Sequence, residues 1–181
     1  TTTTVAPLLS TLWNQSPYYN DLCPGGSVTG CVATAMAQIL KYWSYPLHGM
    51  GQSSYNENDY GPLSANYAMA TYIYSLMPNQ LSAPNAEVAQ LMSHCGISVS
   101  MDYSPGGSAA WVICSDNPIS AQNSYTAYFG YNPNTILGVY RDDYTTPNWH
   151  TMIKNDLEIG RPIQYAGFGS GGGHTWVCDG Y

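Results

Sequence analysis

The stretch that decides the fold is TGCVATAMAQILKYW, residues 29–43. Mostly small and apolar residues follow Cys31 until Pro46 interrupts the pattern, which predicts a helix from Cys31 to Trp43. At about 100° per residue the large apolar side chains share one face: Val32, Met36, Ile39, Leu40 and Trp43. Cys31 falls on the opposite side, so the sequence puts a thiol at the helix start and outside the predicted core.

The start of a helix is an activating place for a thiol. Unpaired N–H groups and the positive end of the helix dipole favour a thiolate there. Gly30, just before Cys31, has no side chain on the side from which a substrate would approach, so we predict that it lines the binding site. The alternative is that Cys31 is a small buried hydrophobic residue, as isolated cysteines often are.

Length and composition predict one domain, residues 1–181, that is exported from the cell. The 181 residues are 44% hydrophobic but only 8% charged, so neutral polar groups supply the solubility. A net charge of −7 with only 4 Lys and Arg argues against nucleic acid as a partner. No run approaches the roughly 20 apolar residues of a membrane span. The start TTTTVAPLL lacks signal-peptide features, so we expect Thr1 to be a mature end or an arbitrary boundary.

The cysteine count is odd, so at least one thiol is free unless a second chain supplies a partner. The five are Cys23, Cys31, Cys95, Cys114 and Cys178. None of the spacings is typical of a zinc site, and we predict no metal ligand. Cys95 and Cys114 are expected in the core, and a bond between Cys23 and Cys31 is not expected.

Coarse patterning places the remaining elements. Residues 1–30 are predicted to form an extended arm. Apolar spacing and glycine or proline stops predict three further helices: 62–78, SAPNAEVAQLMSHCG and TTPNWHTMIKNDLEIG. The runs ISVSMDY and TILGVY are β-like. RPIQYAGF and HTWVCDGY are predicted strands of a hairpin joined by GSGGG, the second strand beginning at His174.

One histidine suits the role of a base that exchanges a proton with the thiol. His48 falls in a predicted turn, His150 on a polar helix face, and His94 near a helix end that favours its cation. His174 begins a strand after glycines, and a sheet would hold its side chain. Gly172 and Gly173 before it are predicted to form a mobile wall of the binding cleft.

Acyl transfer also needs a donor for the oxyanion that forms on the attacked carbonyl. The main-chain N–H of Cys31 is one candidate. The side-chain amide of Gln15, in LWNQSPYY, is the second.

Three segments make the chain resemble the streptopain family of papain-fold cysteine peptidases, which includes interpain: WNQSPYYNDLCP with TGCVATAMAQILKYWSYPLHGMG, LMSHCGISVSMDYSPGGSAA, and RPIQYAGFGSGGGHTWVCDGY. The resemblance implies an α+β, papain-like fold in which a helical lobe packs on an antiparallel β-sheet lobe. It implies that Cys31 is the nucleophile, His174 its imidazole partner and Gln15 the oxyanion donor. No cofactor is implied; the implied partners are protein or peptide substrates and an N-terminal propeptide in a zymogen.

One family feature has no counterpart in the sequence. In the family, a strand after the histidine brings an Asn-Trp-Gly-Trp-Gly segment that orients and shields the imidazole, whereas this sequence stops at Tyr181. The fold is therefore expected to lack its C-terminal part, or to receive it as a separate C-terminal segment.

Two other functions fit the same residues. An acyltransferase or transglutaminase of related fold would use Cys31 and His174 to pass the acyl group to an amine. A secreted protein-binding module would leave Cys31 structural and use its Tyr-rich surface.

Overall fold

A computed structural model describes residues 4–181 as a mixture of helices and antiparallel hairpins. The helices are Cys31–Trp43 (α1), Ala86–Ser98 (α2), Ala121–Ala127 (α3) and Thr146–Glu158 (α4). The strands are Gln52–Glu57 (β1), Gly61–Asn66 (β2), Ile163–Gly169 (β3) and Gly172–Cys178 (β4), and they pair as β1–β2 and β3–β4. The predicted α+β class is confirmed. None of the helices in this described range is long and apolar enough to cross a membrane.

Helix α1 lies at the centre of the core, packed against α2 on one side and the β3–β4 hairpin on another. Most residues of α1 are buried as a result, including the polar residue Thr34. The prediction of a helix over residues 31–43 is confirmed. Trp43, which was expected in the core, is instead 45% exposed because it lies at the C-terminal end of the helix, beyond the packed region.

The described part of the predicted arm, residues 4–30, is irregular: bends and turns run through residues 15–23 and lead into a short 3₁₀ turn at Pro24–Gly26, so the arm is extended only in part. It is fastened to α1 by Gln38, whose side-chain oxygen accepts hydrogen bonds from Thr11 Oγ1 at 3.0 Å and from the N–H of Trp13 at 3.3 Å. The start of the arm pairs with the end of the chain, where the N–H of Val5 donates to the Tyr181 carbonyl at 3.0 Å.

The helix expected over residues 62–78 is not present. Its first part is β2, which pairs with β1 in a register that places Leu63 opposite Tyr55. The turn between the strands is held by Glu57, whose carboxylate accepts the N–H groups of Asp59 and Tyr60, each at 2.8 Å. Cross-strand pairing therefore overrides the local helical preference of the segment.

Helix α2 is confirmed, but it continues through Gly96, the predicted stop, to Ser98. A side chain at Gly96 would come within 2.1 Å of the hydroxyl of Tyr103, so this glycine permits close packing rather than ending the helix. The β-like run ISVSMDY is therefore partly helical, with one isolated bridge, from Asp102 to Ala109. TILGVY is not a strand.

The C-terminal third follows its predicted organisation. Helix α4 carries a proline in its first turn, and its Thr145 side chain accepts the N–H of Asn148 at 3.4 Å. Strand β4 begins at Gly172, two residues before the predicted start at His174. The hairpin then positions His174 opposite Gly167.

Candidate active site

Cys31 is the first residue of α1 and is half-buried. The preceding residue, Gly30, has φ 84° and ψ 143°, a conformation that side chains strongly disfavour. Its carbonyl accepts both the N–H and the hydroxyl of Thr34, at 3.0 and 2.9 Å. The first turn is thereby fixed, and the N–H of Cys31 has no acceptor within the helix because helices leave their first N–H groups unpaired.

Gly30 is buried, and its α-carbon faces the protein interior. A Cβ there would lie 2.7 Å from Sδ of Met101 and 3.1 Å from the carbonyl oxygen of Ser108. The glycine is thus required by backbone conformation and close packing. Its predicted part in substrate binding stays a prediction.

Gln15 is joined to the start of α1 through the main chain. Its carbonyl oxygen accepts the N–H of Thr29 at 3.3 Å, two residues before Cys31. Its own N–H bonds to Asn14 Oδ1 at 2.8 Å. Among residues 4–181 the side-chain amide of Gln15 has no hydrogen-bond partner, so it is available as a donor.

His174 lies on the exposed face of the β3–β4 hairpin. Its neighbour Thr175 points inward, is buried and donates a hydrogen bond to the Tyr165 carbonyl at 2.6 Å. Side chains alternate along a strand, so His174 and Trp176 share the outer face. Their rings are stacked, with centroids 6.1 Å apart and an interplanar angle of 23°.

The hairpin and α1 are joined at the first turn of the helix by Gln164, a residue that sequence reasoning missed. Its amide nitrogen donates to the carbonyl of Val32 at 3.5 Å, and its oxygen accepts the hydroxyl of Tyr125 at 2.9 Å. Gln164 thus connects β3, α1 and α3 one residue beyond Cys31. An isolated glutamine in a strand pattern gave no signal of this role.

The structure brings the elements of the predicted site into contact without joining the two reactive side chains. Helix α1 packs against β4, and Gln15 is held at Thr29. No hydrogen bond links the thiol of Cys31 to the imidazole of His174 within the part of the chain that is described. Two surface pockets, one beside Tyr42 and one along α4, are lined by other residues.

Gly172 and Gly173 are the first two residues of β4, directly after the exposed turn of the hairpin. Gly172 has φ 105°, and a Cβ at Gly173 would approach the ring of Phe168 to 2.7 Å. The backbone conformation at Gly172 therefore favours glycine, whereas the Phe168 ring beside Gly173 is exposed and can move. Their predicted part in substrate binding stays a prediction.

The other histidines have structural surroundings. His48 Nδ1 lies 2.9 Å from the carbonyl of Ala70, and His150 is exposed on α4 as predicted. His94 Nδ1 lies 2.9 Å from the Tyr72 hydroxyl, and burial lowers its pKa. The expectation that His94 favours its cation is therefore wrong, because its burial outweighs the nearby helix end.

All five cysteines are free thiols. Burial raises the pKa of Cys23 to about 11 and also raises those of Cys95 and Cys178. Cys95 is buried as predicted, whereas Cys114 is only half-buried, with Sγ 3.4 Å from the hydroxyl of Ser120. Within residues 4–181 no group of three or more His, Cys, Asp or Glu side chains is placed to hold a metal ion.

Comparison with known sequences supports one family. The sequence profile of the Peptidase C10 family matches residues 13–181. Streptopain from Streptococcus pyogenes is 32% identical over 166 residues, which cover 85% of this chain and 40% of streptopain. The thiol protease/hemagglutinin PrtT from Porphyromonas gingivalis is 31% identical over 198 residues, covering 98% of this chain and 22% of PrtT. The chain thus spans well under half the length of these relatives.

Solved structures agree with the sequence comparison. Active wild-type interpain A cysteine protease from Prevotella intermedia superposes with a TM-score of 0.87 at 34% identity, covering 98% of this chain and 77% of that one. A prointerpain A fragment gives a TM-score of 0.84 at 33% identity, covering 98% and 58% of the two chains. The predicted papain-like peptidase fold is therefore confirmed, and the chain belongs to the Peptidase C10 family.

Proposed function

We propose that the chain is the catalytic part of a cysteine endopeptidase, with Cys31 as nucleophile, His174 as acid and base, and Gln15 as oxyanion donor. The observation that carries the proposal is the placement of Cys31 as the first residue of α1, where unpaired N–H groups favour a thiolate. Family membership and the contact between α1 and β4 support the pairing with His174.

In this mechanism the thiolate of Cys31 attacks the carbonyl carbon of a peptide bond. The N–H of Cys31 and the free amide of Gln15 hold the oxyanion of the tetrahedral intermediate. The imidazolium of His174 gives its proton to the leaving amine, and the neutral imidazole then takes a proton from the water that hydrolyses the thioester. Catalytic hydrogen bonds are often long before substrate binds. The lack of a hydrogen bond between the Cys31 thiol and the His174 imidazole among the described residues is consistent with this.

Several finer features belong to the same proposal. Protein or peptide chains are the substrates, and Gly30, Gly172 and Gly173 line their path. An N-terminal propeptide precedes the domain in a zymogen, as the existence of a prointerpain A structure suggests by analogy. Secretion is supported by the low charged fraction of 8%. No metal or cofactor takes part in the proposed mechanism.

The test is hydrolysis of casein by the wild-type chain and by the Cys31→Ala and His174→Ala variants. We expect no detectable cleavage by Cys31→Ala and a loss of at least about a hundredfold for His174→Ala, since proton transfer contributes on that order. His150→Ala is the matched control, because His150 is an exposed histidine on α4. Casein cleavage by Cys31→Ala would overturn the proposal, as would an amine conjugate formed in place of cleaved peptide.

A further inference from the structure

A continuous row of aromatic rings runs from helix α4 across the β3–β4 hairpin and ends at His174. Successive ring centroids are 5.8, 5.4 and 6.1 Å apart along the row: Trp149, Tyr165, Trp176 and His174. The Tyr165–Trp176 pair is tilted, with an interplanar angle of 31°, and the Trp176–His174 pair is stacked, with an angle of 23°. Offset parallel rings are a favourable arrangement for aromatic side chains.

A glycine makes room for the indole in this row. Gly167 pairs directly with His174 across the hairpin, and a Cβ at Gly167 would lie 3.2 Å from Cη2 of Trp176. The indole of Trp176 therefore lies over Gly167 and beside the imidazole.

The far end of the row is anchored in the protein. Trp149, on α4, is only 8% exposed, and its Nε1 donates a hydrogen bond to the hydroxyl of Tyr165 at 3.0 Å. Tyr165 in turn packs against Trp176. Helix α4 thus supports the row through Tyr165, and Trp176 itself is 42% exposed.

We propose that Trp176, which packs against Gly167, is a positioning residue that holds the imidazole of His174 in one orientation. The inference rests on the proposed function, in which His174 exchanges protons with Cys31. In this role Trp176 acts through His174 and takes no direct part in making or breaking bonds.

The physical need for such a contact follows from the surroundings of His174. The residue is exposed, and no hydrogen bond to its ring nitrogens is formed by any group between residues 4 and 181. An exposed imidazole without a partner samples several rotamers, and fixing one of them has an entropic cost. A stacked indole limits that sampling, and a misplacement of about 1 Å at a catalytic group can reduce rates on the order of a hundredfold.

The contact is tested by NMR of chains with isotope-labelled histidine, with the His174 signals assigned by loss in His174→Ala. In the wild type, the ring protons of His174 should be shifted by the neighbouring indole. Trp176→Leu should move them toward the values of an exposed histidine, and Trp176→Phe should keep part of the shift. Unmoved His174 resonances in Trp176→Leu would overturn the inference, whether or not the chain cleaves peptides.

The consequence is tested by steady-state kinetics. Trp176→Leu should lower kcat by ten- to a hundredfold, on the order expected for a misoriented group, with KM within about twofold. Trp176→Phe should recover most of kcat, because a phenyl ring can also stack. The matched control is Trp43→Leu, since Trp43 is 45% exposed and contacts another aromatic ring but lies at the opposite end of α1 from Cys31. Unchanged kcat in Trp176→Leu would overturn the inference.

Two glycine variants distinguish the effect of displacing the indole of Trp176 from the effect of removing it. Gly167→Ala should push the indole by a few tenths of an ångström and give a smaller loss of kcat in the same direction. Gly169→Ala is the control, because Gly169 lies on the same face of β3 and a Cβ there meets nothing within 4 Å. Equal kcat in the two variants would contradict the proposed role of the packing between Trp176 and Gly167.

Failure of the proposed function is recognised separately. A wild-type chain without peptidase activity, in which Cys31 also does not react with iodoacetamide, would overturn that function. The NMR comparison would still decide whether Trp176 orients His174.

Discussion

The carbonyl oxygen of Gln15 accepts a hydrogen bond from the N–H of Thr29 at 3.3 Å, which holds the arm against the residues that lead into α1. Two positions that are far apart in the chain therefore share one local structure beside Cys31. Because this bond uses main-chain atoms only, the position of residue 15 does not depend on its side chain. The side chain can therefore be changed without releasing the arm.

Replacing Gln15 by alanine should reduce activity while leaving the fold intact. The variant loses the amide donor to the oxyanion, so kcat should fall on the order of a hundredfold with little change in KM. The free energy of unfolding in urea should be unchanged, since the Thr29 bond remains. Gln80→Ala is the control, because Gln80 is exposed and lies outside the site. A Gln15→Ala variant with wild-type kcat would remove Gln15 from the oxyanion site.

Replacing Gly30 by alanine should destabilise the protein more than an equivalent change at an open glycine. Gly30→Ala combines a positive φ with a Cβ 2.7 Å from Met101 Sδ, and about 3 kcal/mol of unfolding free energy should be lost. Gly26→Ala has φ +73° but meets nothing within 4 Å, so about 1 kcal/mol should be lost. Urea denaturation of both variants provides the comparison. Equal losses of unfolding free energy in the two variants would show that the Met101 side chain moves aside without destabilising the protein.

The hydroxyls of Thr29 and Thr34 form a buried pair at 2.8 Å. Thr34 also donates to the Gly30 carbonyl, so the Thr29 hydroxyl is the donor within the pair. Thr34→Val leaves the Thr29 hydroxyl buried without an acceptor and should cost about 1–2 kcal/mol of unfolding free energy. Thr29→Val leaves Thr34 bonded to Gly30 and should cost less.

A double-mutant cycle distinguishes this account from simple loss of packing. In the Thr29→Val, Thr34→Val double variant no hydroxyl is left unpaired, so its loss of stability should be smaller than the sum of the single losses. Strictly additive losses would contradict the proposed direction of the hydrogen bond.

The half-buried His94 should make stability depend on pH. Burial lowers its pKa in the folded state, so the unfolded chain binds the proton first as pH falls. The contribution is fully present above about pH 6.5 and is lost as pH falls from there toward the folded-state pKa. The unfolding free energy should therefore drop between about pH 8 and about pH 5.5, and less so in His94→Gln. His150→Gln, on an exposed histidine, should keep the wild-type dependence; equal pH dependence in all three proteins would contradict the assignment.

Local signals were sufficient for the helices and the hairpin that carry the site. Pro147 in the first turn and Gly160 after the last turn bounded α4, and the glycines after residue 169 marked the turn before His174. Cys31 at the helix start followed from the wheel of residues 31–43. These features are determined by residues that are close together in the chain, so they can be predicted from the sequence alone.

The features that the sequence did not reveal depend on distant partners. Leu63 lies in a strand that pairs with the strand of Tyr55, and Gly96 lies inside α2 where Tyr103 leaves no room for a side chain. Gln164 bridges two helices that are far from it in the chain. Helix α3 has a capping serine, Ser120, but is too short for an apolar period to stand out.

The central claim is that Cys31 is the reactive thiol, and mass spectrometry after treatment with an epoxide inhibitor of cysteine peptidases tests it most directly. The chain carries its own controls, because Cys23 and Cys95 are buried with raised pKa values and Cys114 and Cys178 are half-buried like Cys31. We predict a single adduct, on Cys31, at neutral pH. An unmodified Cys31, with the label on another thiol or on none, would contradict the account.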